Sequence, residues 1–454
     1  PWATLPRFAP LVCFVVPSPS SGPARSRLPF PSRPVFFPHP EHSMKKSPLT
    51  VSFLGLVLAA SALAADWPQW RGPDRNDHSP DKSILAPWPA GGPKQHWISK
   101  EAGLGYSGFS IVAGRLYTMG AMDDGEHVVC VDVATGKKLW SSRVDDRVYE
   151  NNWGNGPRCT PTVAGENIYA VSGNGRLVCL ELNGGKLVWS VDFVKDLGGK
   201  IQSWGFTESV LVDGDRVVCT PGGSKGTLAA LDRRTGKVLW RSKGVEDVAQ
   251  YSSPLVVTHD GQRQYVQLVT KRLFGVKAET GDLLWQTDFP GRTAVIPTPI
   301  HQDGLVYVTA GYNAGSRQFK LGGAEPAMTH ESNKMVNHHG GVILVDGKLY
   351  GHSDRGGWTC QDWKTGESLW QDRSLGKGAC TYVAGHLVCI EEQKGTVVLI
   401  EASPAGWKEK GRFTLSPQTE KRKPQGKIWV HPVVLDGRLF LRDQELIHCY
   451  DVKG

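Results

Sequence analysis

The chain has 454 residues, 52 Lys and Arg against 44 Asp and Glu for a formal charge of +8, with 40% hydrophobic and 21% charged residues. That balance belongs to a folded globular chain and excludes wholesale disorder or a disulfide-dense miniprotein. Gly at 53 and Trp at 16 are high for this length, and many tight turns with a recurrent large aromatic point to all-β repeats.

Residues 1–43 hold eleven prolines, four arginines and a single acid, Glu41, without apolar periodicity. They read as a Pro-rich leader outside the fold, translated upstream of a true start at Met44. Met44-Lys45-Lys46, the apolar run Val51–Leu63 and the small residues before Asp66 have the layout of a secretory signal peptide, 44–65, cleaved after Ala64 or Ala65. The run is too short to span a bilayer and no Cys follows it, so a soluble periplasmic or secreted protein without a lipid anchor is expected. No later stretch is long and apolar enough for a membrane helix. The leader and signal segment carry five of the eight net positive charges. Basicity is therefore no clue to a partner, and no nucleic-acid motif is present.

Residues 66–93 form an N-terminal extension. From 94 to 454 the chain repeats. Five phrases of the kind Asp132-Val-Ala-Thr-Gly-Lys-Lys-Leu-Trp140 end at Trp140, Trp189, Trp240, Trp285 and Trp370. Their spacings are 49, 51, 45 and 85, the last being two units. Upstream of each lies a hairpin signal, an Asp-Gly or Ala-Gly between apolar runs, as at Gly114, Gly165, Gly214, Gly347, Gly385 and Gly437. Each unit reads as four short strands, and the period marks a solenoid or a propeller. Eight units start near Gly108, Thr160, Ser209, Ser253, Thr298, Val342, Cys380 and Pro432. The eighth stops before its outer strand, while Lys94-Gln-His-Trp97-Ile-Ser is an orphan strand with its Trp. The spacing predicts an all-β, eight-bladed propeller of four-stranded antiparallel blades whose ring is closed by the N-terminal strand. Trp97, Trp140, Trp189, Trp240, Trp285 and Trp370 are the predicted fasteners between blades.

These phrases resemble the tryptophan-docking motif of the pyrroloquinoline-quinone (PQQ) type propellers. Asp66-Trp-Pro-Gln-Trp-Arg-Gly-Pro73, Asn337-His-His-Gly-Gly341 and Trp358-Thr-Cys-Gln-Asp362 look like the secreted bacterial PQQ-like repeat proteins in particular. The resemblance implies either a quinoprotein alcohol or sugar dehydrogenase using PQQ with Ca²⁺, or a non-enzymatic propeller like the BamB subunit of the outer-membrane barrel assembly machinery. The dehydrogenases use an adjacent Cys pair, a Trp, a Ca²⁺ held by Glu and Asn, and an Asp base. This chain has no Cys-Cys pair and no C-x-x-C-H haem site. A monomeric binding or assembly scaffold is the favoured reading, with no catalytic and no metal-ligating residue assigned. Its partner would be a protein or a small anionic or aromatic ligand, and outer-membrane assembly proteins by analogy. A PQQ-dependent oxidoreductase is the alternative, and carbohydrate binding a third.

Segments joining one blade's outer strand to the next blade's inner strand converge on one face of a propeller. Reading back from each inner strand predicts a funnel of Tyr106, Trp153, Arg158, Trp204, Glu208, Tyr251, Arg292, His338, His339, Lys377, Trp429 and His431. Aromatic and cationic groups together suit a planar or anionic ligand such as PQQ, an acidic sugar or a peptide carboxylate. Ordinary packing at the channel mouth is the competing reading. His338-His339, read as a strand pair facing opposite sides, is expected to be polar lining rather than a metal site. The Cys residues are expected to be small packing residues. Asp123-Asp124, Glu391-Glu392 and Lys421-Arg422-Lys423 are expected at the solvated surface.

Overall fold

The computed structural model describes residues 65–454. Residues 1–64, with the leader and all but the last residue of the signal segment, lie outside it. Thirty-two strands form eight four-stranded antiparallel sheets, the eight blades of a propeller. The inner strands Ser110–Val112, Thr162–Ala164, Leu211–Asp213, Leu255–His259, Ile300–Gln302, Ile343–Val345, Gly378–Val383 and Val433–Leu435 open blades 1 to 8. Blade 8 takes its outer strand from Gln95–Ser99, which pairs with Leu446–Asp451 and sets Trp97 opposite Cys449. This is the predicted closure, and it leaves no blade incomplete.

Two turn chemistries repeat around the ring. Six of the eight inner hairpins place two successive residues at positive φ, such as Asp346 (46°) and Gly347 (71°), the mirror-image turn that matches strand twist. In the outer turns an Asp holds the loop: Asp132 Oδ1 accepts from Thr135 N at 2.8 Å and from its hydroxyl at 2.6 Å.

The Gly after that Thr has a second role. A Cβ on Gly136 would lie 2.6 Å from the Trp97 ring of the preceding blade, and Gly185, Gly236 and Gly281 meet Trp140, Trp189 and Trp240 in the same way. Each Trp thus lies flat on the next blade's turn, and Trp97, Trp189 and Trp240 also donate Nε1–H to a carbonyl there. Blade 5 has no such Trp. Its place is taken by His330, which sits on Gly366 and bonds the Trp363 carbonyl at 3.2 Å. That substitution explains the double spacing between Trp285 and Trp370. Trp285 faces a blade without the Thr-Gly turn and donates to Gln264 of its own blade at 2.5 Å.

All eight described cysteines are buried and free. Cys130, Cys179 and Cys360 each stand opposite the docking Trp of their blade, the small-residue packing role expected of them.

The extension is more than a lead-in. Residues 67–81 run through the central channel and bond to every blade. Trp67 pairs with Ile111 of blade 1, and the Pro68 carbonyl accepts from Val163 of blade 2 at 2.8 Å. Arg75 is fully buried; it donates to the carbonyls of Ser209 and Val210 in blade 3 and Pro254 in blade 4. Trp70 donates to Thr298 Oγ1 of blade 5 at 3.1 Å. Arg71 and His78 reach the Val342 and Leu344 carbonyls of blade 6. Tyr382 N of blade 7 donates to the Asp77 carbonyl, and Asp81 accepts from Asp436 N and Gly437 N of blade 8. The inner strands leave carbonyls pointing into the channel, and two guanidiniums with several donors each satisfy them.

Candidate functional site

On the face where the inter-blade connections converge lies a cup of about 990 Å³, counted to its open mouth. Nine of the twelve predicted funnel residues line it: Tyr106, Trp153, Arg158, Trp204, Tyr251, His338, His339, Trp429 and His431. Three do not. Glu208 points away from the cup into the channel wall, where its Oε1 accepts from Thr220 N at 2.5 Å. Arg292 is exposed, and its connection contributes Ala294 and Ile296 instead. Lys377 stands behind His338, with Nζ 2.8 Å from Asp354 and 2.5 Å from His338 Nδ1.

Two aromatic residues of the cup lie outside the predicted set. Tyr312 comes from a hairpin turn within blade 5, which opens on the same face as the connections. Trp70 comes from the channel segment and forms the floor, its ring 4.6 Å from that of His431.

The rings form a collar. Going round, Tyr106 meets Trp429 at 4.9 Å, Trp429 meets His339 at 6.2 Å, His339 meets His338 at 5.6 Å and His338 meets Tyr312 at 4.8 Å. On the other side Tyr251 meets Trp204 at 5.6 Å and Trp204 meets Trp153 at 5.3 Å. The two arcs are joined through the Tyr106 hydroxyl, which donates to the Trp153 carbonyl at 2.5 Å. Neighbouring rings are inclined at 41° to 82°, tilted or edge-on geometries that aromatic pairs favour.

The polar groups are ordered by carboxylates behind the wall. His339 Nε2 donates to Glu392 Oε2 at 2.7 Å, and Trp429 Nε1 donates to the same oxygen at 2.9 Å. Glu392 is therefore no surface group: its side chain is 12% exposed. Burial would raise its pKa, yet His339, Trp429 and nearby Lys377 outweigh burial and hold it at about 2. Glu391 is buried as well and accepts from Gln393 N and Lys394 N. Asp123 and Asp124 are exposed as expected, whereas Arg422 of the basic run pairs with the buried Asp443 at 2.5 Å. His338 and His339 lie on a loop rather than a strand, so both face the cup. Burial, with His339 and Lys377 alongside, depresses the His338 pKa to about 3. His338 is thus a neutral imidazole whose Nδ1 accepts a hydrogen bond from the Lys377 ammonium and whose Nε2 carries the hydrogen.

Arg158 is the cation of the cup. Its guanidinium lies over the rings of Tyr106 and Tyr149 at 5.1 and 5.4 Å, and donates to the Gly156 and Gly154 carbonyls at 2.9 Å each. No carboxylate pairs with it among the described residues. A quinone held through Ca²⁺ would need carboxylate and amide oxygens turned into the cup. Glu392 is already engaged, and no three His, Cys, Asp or Glu side chains among the described residues are grouped to hold a metal ion. The donor set does not fit a Ca²⁺-bound PQQ.

Fold and site together define an eight-bladed propeller with a filled channel and one aromatic cup. The chain belongs to the PQQ-like repeat family described as outer membrane protein assembly factor BamB, whose profile matches residues 94–372. It is 37% identical over 123 residues to the dehydrogenase subunit of a quinone alcohol dehydrogenase from Gluconacetobacter polyoxogenes, a match covering 24% of this chain and 16% of that protein. It is 30% identical over 141 residues to BamB of Bordetella pertussis, covering 30% of this chain and 31% of that one. These matches span under a third of either relative's length. Among solved structures, BamB of Moraxella catarrhalis superposes with a TM-score of 0.55 at 16% identity, covering 76% of this chain and 94% of that one. The quinohemoprotein alcohol dehydrogenase ADHIIG of Pseudomonas putida HK5 gives 0.59 at 14% identity, covering 86% and 80%. At such identities the likeness is one of fold.

Proposed function

We propose that this protein is an exported PQQ-like propeller that binds a small ligand in the aromatic collar and serves as a binding or assembly scaffold, without quinone chemistry of its own. The observation that supports it is the aromatic collar around a guanidinium with no carboxylate in ion-pair contact among the described residues, since a concave, mostly apolar wall with few convergent polar groups is how small-molecule sites are built. Export is supported by the apolar run after Lys45-Lys46, and assembly partners by the likeness to BamB.

The second reading, a PQQ-dependent oxidoreductase, is favoured by the 37% identical stretch shared with a quinone alcohol dehydrogenase. Titration of the purified protein with PQQ and Ca²⁺, followed by dye reduction with alcohols and aldose sugars, separates the two. Saturable PQQ binding with turnover sinks the scaffold reading. Pull-down from an envelope extract tests assembly, and recovery without any barrel-assembly protein counts against that part.

A further inference from the structure

Taking the collar as a ligand site, we propose that its ligand is an acidic sugar: a uronic-acid ring, free or at the end of an acidic glycan, anchored through its carboxylate by Arg158.

Charge comes first. Lys377 is neutralised by Asp354 and Arg71 by Asp77, which leaves Arg158 as the cup-lining cation with no carboxylate in ion-pair contact among the described residues, Glu126 acting on it only from a distance. A guanidinium has five N–H donors. Two carbonyls engage two of them, leaving donors for a carboxylate in the bidentate geometry arginine favours. Burial lowers the Arg158 pKa, offset only in part by Tyr106, Tyr149 and the nearby Glu126, and an incoming carboxylate would relieve the remaining cost.

Shape comes second. A flat polycyclic ligand is held best between two parallel faces, and no neighbouring pair in the collar is parallel. Rings inclined around a bowl instead enclose a rounded body. A pyranose chair is such a body, with C–H patches on its faces for aromatic rings and hydroxyls around its edge.

The third match is polar. His338 offers a neutral Nε2–H, and Tyr251, Tyr312, Ser209 and Ser253 add hydroxyls to the same wall, partners for the sugar's edge. Trp153, 37% exposed at the rim and in contact with Trp204, continues the apolar surface outward, where a second sugar unit would stack.

The test is calorimetry and tryptophan fluorescence on the purified protein. Probes are glucuronate, galacturonate, their short oligomers, glucose, PQQ and a peptide with a free C-terminal carboxylate. A uronate should bind about tenfold or more tightly than glucose, a preference that falls with added salt. Arg158→Gln should abolish the preference. Trp153→Ala, a change at an exposed rim position, should weaken oligomers by about tenfold and the monosaccharide little. Equal gain for monomer and oligomer points to free sugar, a larger gain for oligomers to a glycan end. Should Arg158→Gln fail to fold, Arg158→Lys keeps the charge, and an unchanged preference there overturns the bidentate anchor. Uronates binding no better than glucose overturn the inference. PQQ or the peptide binding where uronates do not overturns it while keeping the collar as a ligand site, and no binding by any probe overturns both.

Discussion

His339 donates through Nε2 to Glu392 at 2.7 Å, and the same carboxylate oxygen takes the indole hydrogen of Trp429. One carboxylate thus fixes two neighbouring members of the collar, from two different connections, in a single orientation. Its pKa of about 2 lies below the ordinary value of 4.5. A depressed carboxylate contributes stability that is complete above its unfolded pKa and is lost as pH falls through the folded one. Between pH 4.5 and 2 the wild type should lose on the order of 2 kcal/mol from this group. Glu392→Gln should lose less over that window, as read by urea melts at pH 7 and pH 3. Equal acid sensitivity in the two proteins would refute the assignment.

Arg75 joins the carbonyls of blades 3 and 4 inside the channel. Burial, partly offset by Glu208, lowers its pKa only to about 10, so it is charged at neutral pH. Arg75→Met removes every donor while keeping an unbranched side chain. The orphaned carbonyls should cost about 3 kcal/mol or more, measured by the urea midpoint. A loss under about 0.5 kcal/mol, the scale of ordinary surface changes, would mean that water replaces the guanidinium.

The docking turns allow an internal comparison. Gly114 and Gly136 have nearly the same φ, 73° and 71°, but a Cβ on Gly114 meets nothing within 4 Å while one on Gly136 strikes the Trp97 ring. Gly114→Ala should cost only the backbone strain of about 1 kcal/mol. Gly136→Ala should cost about 2 kcal/mol more, because the indole must leave its seat. Equal losses would show that the ring is not held tightly against the turn.

His330 fills a Trp position on Gly366. His330→Trp should be accommodated and should raise stability by about 1 kcal/mol through added apolar burial. A loss of comparable size would show that blade 5 is packed for imidazole.

The ring, its closure and its fasteners were legible because they are written in turn chemistry: Asp, Thr and Gly at fixed offsets before a Trp report backbone geometry directly. Much of the cup was legible for the same reason, since blade starts locate the connections. What failed was direction within a connection. Glu208 and its neighbour Thr207 face opposite ways, one into the wall and one into the cup. Arg292 lies in a connection whose smaller residues reach the cup. Tyr312 sits in a hairpin within blade 5, a turn that no blade start locates although it opens on the same face. For Glu392 the sequence showed an acid in a turn, and burial came from His339 and Trp429, 53 and 37 residues away. Trp70 left no periodic signal because the channel segment is not a repeat.

That segment changes how the ring should come apart. In repeat arrays each unit touches only its neighbours, so stability is lost piecemeal from an end. Here residues 67–81 bond to all eight blades, and Asp81 reaches Asp436 across 355 positions of chain. The ring therefore has a hub. Amide hydrogens in blades 1, 4 and 8 should exchange through one common opening rather than in succession, and contacts of such long range belong to a slow folder that commits only once its last blade can be gripped by residues 67–81.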